Sequence, residues 1–225
     1  MARKRDIAAS ARCLLAAIAC ALAMMSGSIA RADDEPPTFL VAKPDLPDPL
    51  FAESVVLMLP QPAIPIVAGV IINKPTTIPV KRAFPSSVDL KDASNSVFFG
   101  GPVDLDSMLL VRRTSKPAKD ERRIFGDLYL SVDSNRIAEI LKDPALDTTN
   151  VRVFQGYSEW SVPQLAREKR EDSWYDVPVQ AASVFTSDPL QLWQQMVARA
   201  KVQEVKASPP DLFRVLLVAF ELPPL

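Results

Sequence analysis

An α+β domain with a mostly antiparallel sheet is the fold class that this sequence predicts, and two patterns carry the prediction. Short apolar, β-branched runs bracketed by proline and polar turns fill the chain from Phe39 to Val111, as buried strands do. Capped segments with helical spacing appear from Asp133 onward. Strands with interspersed helices in this order form α+β domains.

The N-terminus comes first and reads as an export leader. Arg3, Lys4 and Arg5 form a positive cluster, and Cys13 to Met25 is an uncharged stretch rich in Ala and Leu. That length suits a signal h-region and falls short of the ~20 residues a membrane-spanning helix needs. Ala30-Arg31-Ala32 is an A-x-A cleavage pattern, and Asp33, Asp34, Glu35 and Pro36 end the apolar stretch. The rival reading is a lipoprotein signal with Cys20 as the lipidated residue, but too little h-region precedes it. Residues 1–32 are therefore expected to be a leader cleaved near Ala32-Asp33. Residues 33–225 are expected to be one periplasmic or secreted domain, with an unusual apolar tail from about residue 207.

Removing the leader takes five basic residues and one acidic residue from totals of 26 and 27. The mature chain then holds 21 basic and 26 acidic residues, a net charge of −5 over 193 residues. Such a surface has no general affinity for phosphate backbones, so no nucleic-acid partner is expected. Both cysteines, Cys13 and Cys20, leave with the leader, and the chain has no histidine. These absences exclude Ser-His-Asp and Cys-His catalysis and ordinary zinc or copper sites. No cofactor and no metal are expected.

Along the mature chain, Phe39-Leu40-Val41-Ala42, Ser54 to Leu59, and Ile66 to Asn73 read as strands. Val97 to Phe99, Met108 to Val111, Leu128 to Leu130 and Val151 to Phe154 continue the pattern. Asn73-Lys74-Pro75 suits a turn, and the charged segment Thr114 to Arg123 suits a surface loop. Asp133 or Ser134 caps a helix whose apolar face is Ile137, Ile140 and Leu141, with Pro144 beyond its end. Ser161 opens a second, charged helix through about Glu171. Asp188-Pro189 opens a third, with a stripe of Leu190, Trp193 and Val197. The apolar run Leu212 to Phe220 contains Arg214 and is too short to span a bilayer. It is read as covering the domain, with a partner-facing patch as the other reading.

Several residues carry a functional reading beside a plainer one. Gly100-Gly101-Pro102 allows close backbone approach to a ligand, yet it lacks the pattern of a phosphate loop, and a tight turn or bulge is favoured. Tyr157 and Trp160, with Gln164 onward, could wall a small-molecule cleft, but aromatics with polar tips also serve as core anchors. Asp45, Asp48 and Glu53 could form an acidic group, and proline spacing makes them plausible loop caps instead. Asp104 and Asp106 alone are a weak metal signal.

Four motifs in order resemble one family. They are Phe39 to Pro49 with Phe51 to Val56; Gly69-Val70-Ile71-Ile72-Asn73-Lys74-Pro75-Thr76; Phe98-Phe99-Gly100-Gly101-Pro102-Val103; and Gly156-Tyr157-Ser158-Glu159-Trp160 with Gln164-Leu165 and Trp174. Together with Leu192-Trp193 they are similar to the YqgE/AlgH family from about Phe39 to Ala200. The resemblance implies an α+β fold whose bent, bifurcated sheet forms a pseudo-barrel with a few packed helices. Its motif positions make Asn73, Gly100, Gly101, Tyr157, Trp160 and Gln164 the candidate ligand-binding residues, and it names no catalytic residue. Departures are the hairpin Pro60 to Pro65, Ala166 in place of a glutamate (Glu168 remains), the apolar end, and the leader, which most members lack.

The functional expectation is an exported binding or accessory domain that meets a protein partner or small ligand in the periplasm, with no membrane span after cleavage. A carboxylate-based hydrolase is one alternative, which requires Asp45, Asp48 or Glu168 to converge on one cleft. A transcriptional regulator, the name some family members carry, is the other. Export, negative charge and the lack of a helix-turn-helix pattern oppose it.

Overall fold

The computed structural model describes residues 37–60, 65–86 and 96–207. The leader with Cys20, the hairpin residues 61–64 and the apolar tail from Leu212 lie outside them. Among the described residues ten strands form: β1 (Thr38–Ala42), β2 (Val55–Met58), β3 (Ile66–Ile71), β4 (Pro75–Pro79), β5 (Ser96–Phe99), β6 (Val103–Arg113), β7 (Arg122–Phe125), β8 (Leu128–Ser131), β9 (Val151–Ser161) and β10 (Trp174–Pro178). The helices are α1 (Val80–Ala83), α2 (Ser134–Lys142), α3 (Val162–Arg170), α4 (Ala181–Val184) and α5 (Leu192–Ala207).

The main strand path runs β10-β1-β2-β3-β9-β6-β8-β7. Neighbours along it are antiparallel, while β5 pairs parallel to β9 and antiparallel to β4. Strand β9 is the hub. One of its edges pairs with β6 from Val151 to Tyr157. Its other edge meets β5 at Phe154 and Gln155, then β3 from Ser158 to Ser161. The sheet therefore forks along β9, and its curl makes a half-barrel. Gly156, at φ +66°, sits at this change of partner, a left-handed conformation that glycine adopts without steric cost.

Residues Phe39 to Ala42 of β1 are all fully buried. Alternation sends Phe39 and Val41 into the largest core, beneath Leu192, Met196, Val197 and Ala200 of α5. It sends Leu40 and Ala42 to the opposite face, where Trp160, Leu165 and Trp174 pack. A third core holds Ile137, Ile140 and Leu141 of α2 against Leu110, Val151 and Val153. Asp133 caps α2 by accepting from Arg136 N at 2.8 Å, as the sequence predicts. Each large side chain sealed this way contributes about 1.5–3 kcal/mol.

The differences from expectation have local causes. Pro75 and Pro79 bound β4, which the turn reading did not anticipate. Prolines are tolerated there because β4 pairs only with β5. Arg122 and Arg123 begin β7 inside the expected loop, and charge suits a strand at the sheet's end. The helix after Asp188 starts later than its cap implies. Pro189–Gln191 is a single 3-10 turn, so Leu190 is 67% exposed and Leu192 takes the buried position.

Candidate functional site

The end of β9, helix α3 and the start of β10 form one continuous hairpin-like unit, and its inner side is a cleft. Ser161 ends β9 and caps α3 by accepting from Gln164 N at 3.2 Å, with Pro163 in the first turn. Helical spacing then puts Gln164 and Glu168 on one face. At the other end Asp172 adopts φ +62°, Asp172 N donates to Lys169 O, and Ser173 N donates to Glu168 O at 3.0 Å. These two bonds are a Schellman closure, which turns the chain so that Trp174 returns beside the helix.

The centre of the cleft is the Glu168 carboxylate. Trp160 Nε1 and Trp174 Nε1 both donate to Oε2 at 3.0 Å, and Gln164 Nε2 donates to Oε1 at 2.9 Å. Phe51 completes the aromatic wall, with ring centroids 5.3 Å from Trp160 and 5.7 Å from Trp174. The two indoles meet edge to face at 5.9 Å, a favoured arrangement. The cleft holds about 270 Å³, and Asp48, Glu159 and Glu171 also line it.

The candidate residues fall into four places. Trp160 and Gln164 are in this cleft, whereas Tyr157 lines a different, more apolar hollow of about 280 Å³ with Leu59, Ile66, Leu109 and Leu130. Alternation along β9 separates the two aromatics. Partial burial, with Glu159 and Asp104 nearby, raises the Tyr157 phenol above its usual pKa. Gly100 and Gly101 face the chain's own backbone: a Cβ on Gly100 would meet Gly156 O at 2.3 Å, and one on Gly101 would meet Tyr157 C at 2.4 Å. Asn73 is buried and clamps the preceding loop, accepting from Val55 N and donating to Glu53 O, each at 2.8 Å. Of the three carboxylates on which a hydrolase would depend, Asp48 and Glu168 line the cleft and Asp45 is not among its lining residues. Asp48 Oδ1 also accepts from Leu50 N at 2.8 Å, which is the loop-cap role.

Phe51 and Trp174 go unnamed among the sequence candidates, and Glu168 enters only as a hydrolase carboxylate and not as a ligand-binding residue. Both aromatics lie within the motifs, but their convergence on Trp160 comes from tertiary contacts that spacing does not reveal. Among the described residues, no group of three or more acidic side chains is placed to hold a metal ion. No described helix is long and apolar enough to cross a membrane.

The AlgH-like DUF179 family profile matches residues 39–204. The chain belongs to this family. A UPF0301 protein of Streptomyces coelicolor is 36% identical over 168 residues, spanning 72% of this chain and 84% of the relative. A UPF0301 protein of Streptomyces avermitilis is 34% identical over 179 residues, spanning 76% and 90%. The fold is similar to a Corynebacterium diphtheriae protein known from a crystal structure, with a TM-score of 0.62, 24% identity and coverage of 76% of this chain and 90% of that one. It is similar too to the solution structure of AlgH from Pseudomonas aeruginosa, with a TM-score of 0.58, 20% identity and coverage of 77% and 94%. The family match spans every residue of the Trp160–Glu168–Trp174 unit.

Proposed function

We propose that this family member is an exported, non-catalytic binding protein whose ligand seats in the cleft formed by Phe51, Trp160, Glu168 and Trp174. The observation that carries this reading is the bonding of Glu168. A general acid or base must be free to exchange a proton with substrate. Three N–H donors instead hold Glu168 as an acceptor and fix its orientation. That favours a preorganised recognition group over an acid-base catalyst. A concave, aromatic-lined cleft with a few convergent polar groups suits small-ligand recognition. The export half of the proposal is supported by the leader pattern of residues 1–32.

Two measurements test it. A C-terminally tagged full-length chain should fractionate outside the cytoplasm and begin at Asp33 by mass. A cytoplasmic chain that keeps its leader would sink the export half. A ligand-observed NMR screen over amines, carboxylates, sugars and short peptides should find a class that binds the wild type and is lost in Trp174→Ala. If no class binds the wild type, or every class that binds is retained in Trp174→Ala, the cleft is a packing feature and the binding half fails.

A further inference from the structure

We infer that the cleft selects an alkylammonium group: a small organic cation with at least one N–H and a short apolar body. The inference rests on the binding reading above and names its ligand class. Charge is the first argument. Four carboxylates line the cleft, from Asp48, Glu159, Glu168 and Glu171, and the described lining residues include no lysine or arginine. The nearby cations are engaged elsewhere: Lys43 with Asp172 and the Tyr175 ring, Lys169 with Asp176, and Lys74 with Leu50 O. Arg167 stands 4.0 Å from Glu171 in an exposed pair, and Lys74 lies close enough to Asp48 to feel its charge. Glu159 and Glu168 have no basic partner among the described residues.

Hydrogen-bond capacity is the second argument. A carboxylate offers about four acceptor sites. Glu168 uses two on Oε2 and one on Oε1. All three donors are neutral, so none brings a counter-charge to the carboxylate, and one acceptor site on Oε1 remains. An ammonium N–H supplies what that oxygen lacks. Shape is the third. Phe51, Trp160, Trp174, Leu46 and Pro47 give an apolar wall beside the charge, and aromatic surfaces attract cations. A neutral alcohol of the same size would match the wall but leave the charge uncompensated. An anionic ligand would meet four like charges.

The test uses the chain's three tryptophans. Trp160 and Trp174 indole N–H groups report on Glu168, while Trp193 donates to Ala42 O at 2.7 Å and serves as an internal reference. In ¹H–¹⁵N spectra of the mature protein, n-butylammonium should shift the Trp160 and Trp174 indole signals saturably and leave Trp193 in place. Glu168→Gln should weaken the binding roughly tenfold, the loss of one charge-assisted contact. Nα-acetyl-lysine methylamide, compared with n-butylammonium, separates a lysine side chain of a partner from a free amine as the source. Saturable shifts by n-butanol of equal affinity would overturn the cation assignment while leaving the cleft a binding site. Absence of any saturable shift with either amine would overturn it as well, and only the wider screen would then decide whether the cleft binds anything.

Discussion

Arg112 and Glu121 form a fork-to-fork ion pair, Nε to Oε1 at 2.7 Å and Nη2 to Oε2 at 2.6 Å, with the glutamate side chain fully buried. Glu121 also accepts from Ala118 N at 2.6 Å and from Ser131 Oγ at 3.3 Å. The pair ties β6 to the loop before β7, and its neighbours use up the carboxylate's remaining capacity.

Burial opposes the ionised form of Glu121. The bonds from Arg112, Ala118 and Ser131 outweigh it, and the glutamate's pKa is lowered. Its contribution to stability is therefore full above the unfolded value of about 4.3 and is lost as pH falls through the lower folded value. Glu121→Ala is expected to destabilise the domain by about 3 kcal/mol, because it leaves a largely buried guanidinium and a backbone N–H unpaired. Denaturant unfolding at neutral pH checks the magnitude. A repeat in acid should show the gap between variant and wild type narrowing, and a constant gap would refute the assignment.

Replacing Glu168 separates bonding from charge. Glu168→Ala leaves two mostly buried indole N–H groups without their acceptor and should cost about 2 kcal/mol. Glu168→Gln keeps an oxygen for both indoles and should remain within about 1 kcal/mol of wild type. Chemical denaturation followed by tryptophan fluorescence measures both. Equal losses in the two variants would mean that charge, not acceptor geometry, holds the cluster.

How far the sequence reveals these features depends on their range. The apolar run Phe39 to Ala42 and the capped face of Ile137, Ile140 and Leu141 report local burial, and both elements form as read. Strand β9 was legible only to Phe154, because Gln155, Tyr157 and Glu159 interrupt the apolar run while still pairing across the sheet. Strand β10 has no strand signature in the sequence, because Trp174 to Pro178 mixes aromatic, acidic and proline residues. It exists because it pairs with β1, more than a hundred positions earlier in the chain. Within the cleft, Gln164 and Glu168 share a face by simple helical spacing. The approach of Phe51 and the turn at Asp172 that brings Trp174 to Glu168 are long-range geometry that no local pattern carries.

The three-way approach of Gly100, Gly101 and Gly156 yields a backbone prediction. A Cβ on Gly156 would meet Gly101 O at 2.6 Å and Val103 O at 2.9 Å, and its φ is +66°. The obstructing atoms are backbone, so they cannot rotate away. Left-handed backbone alone costs a non-glycine residue about 1–2 kcal/mol. With the clash added, Gly156→Ala should lose roughly 3 kcal/mol or fail to fold. Gly126, at φ +54° with open space around it, is the control. Gly126→Ala should cost only the conformational term of about 1–2 kcal/mol. Equal thermal-unfolding shifts for the two variants would refute the packing argument.

Arg152 points the other way, to a substitution that should help. Its residue is 2% exposed, and its guanidinium lies 5.0 Å from the Phe98 ring centre. Nη2 donates to Thr186 O at 2.7 Å and Nη1 to Val151 O at 3.4 Å, but Nε has no partner and no carboxylate faces the group among the described residues. Burial lowers its pKa to about 10. The unfolded chain therefore holds the proton more tightly than the folded one. The resulting penalty is fully present at neutral pH and is relieved only as pH rises through about 10. Buried charges without a counter-ion are often replaced to advantage by apolar residues of similar volume. Arg152→Met keeps the length and the contact with Phe98 while giving up the bond to Thr186 O and the longer one to Val151 O. It is expected to raise stability by about 1 kcal/mol, the desolvation relieved exceeding the two bonds lost. Denaturant midpoints at neutral pH decide it, and a variant less stable than wild type would mean that the bond to Thr186 outweighs the buried charge.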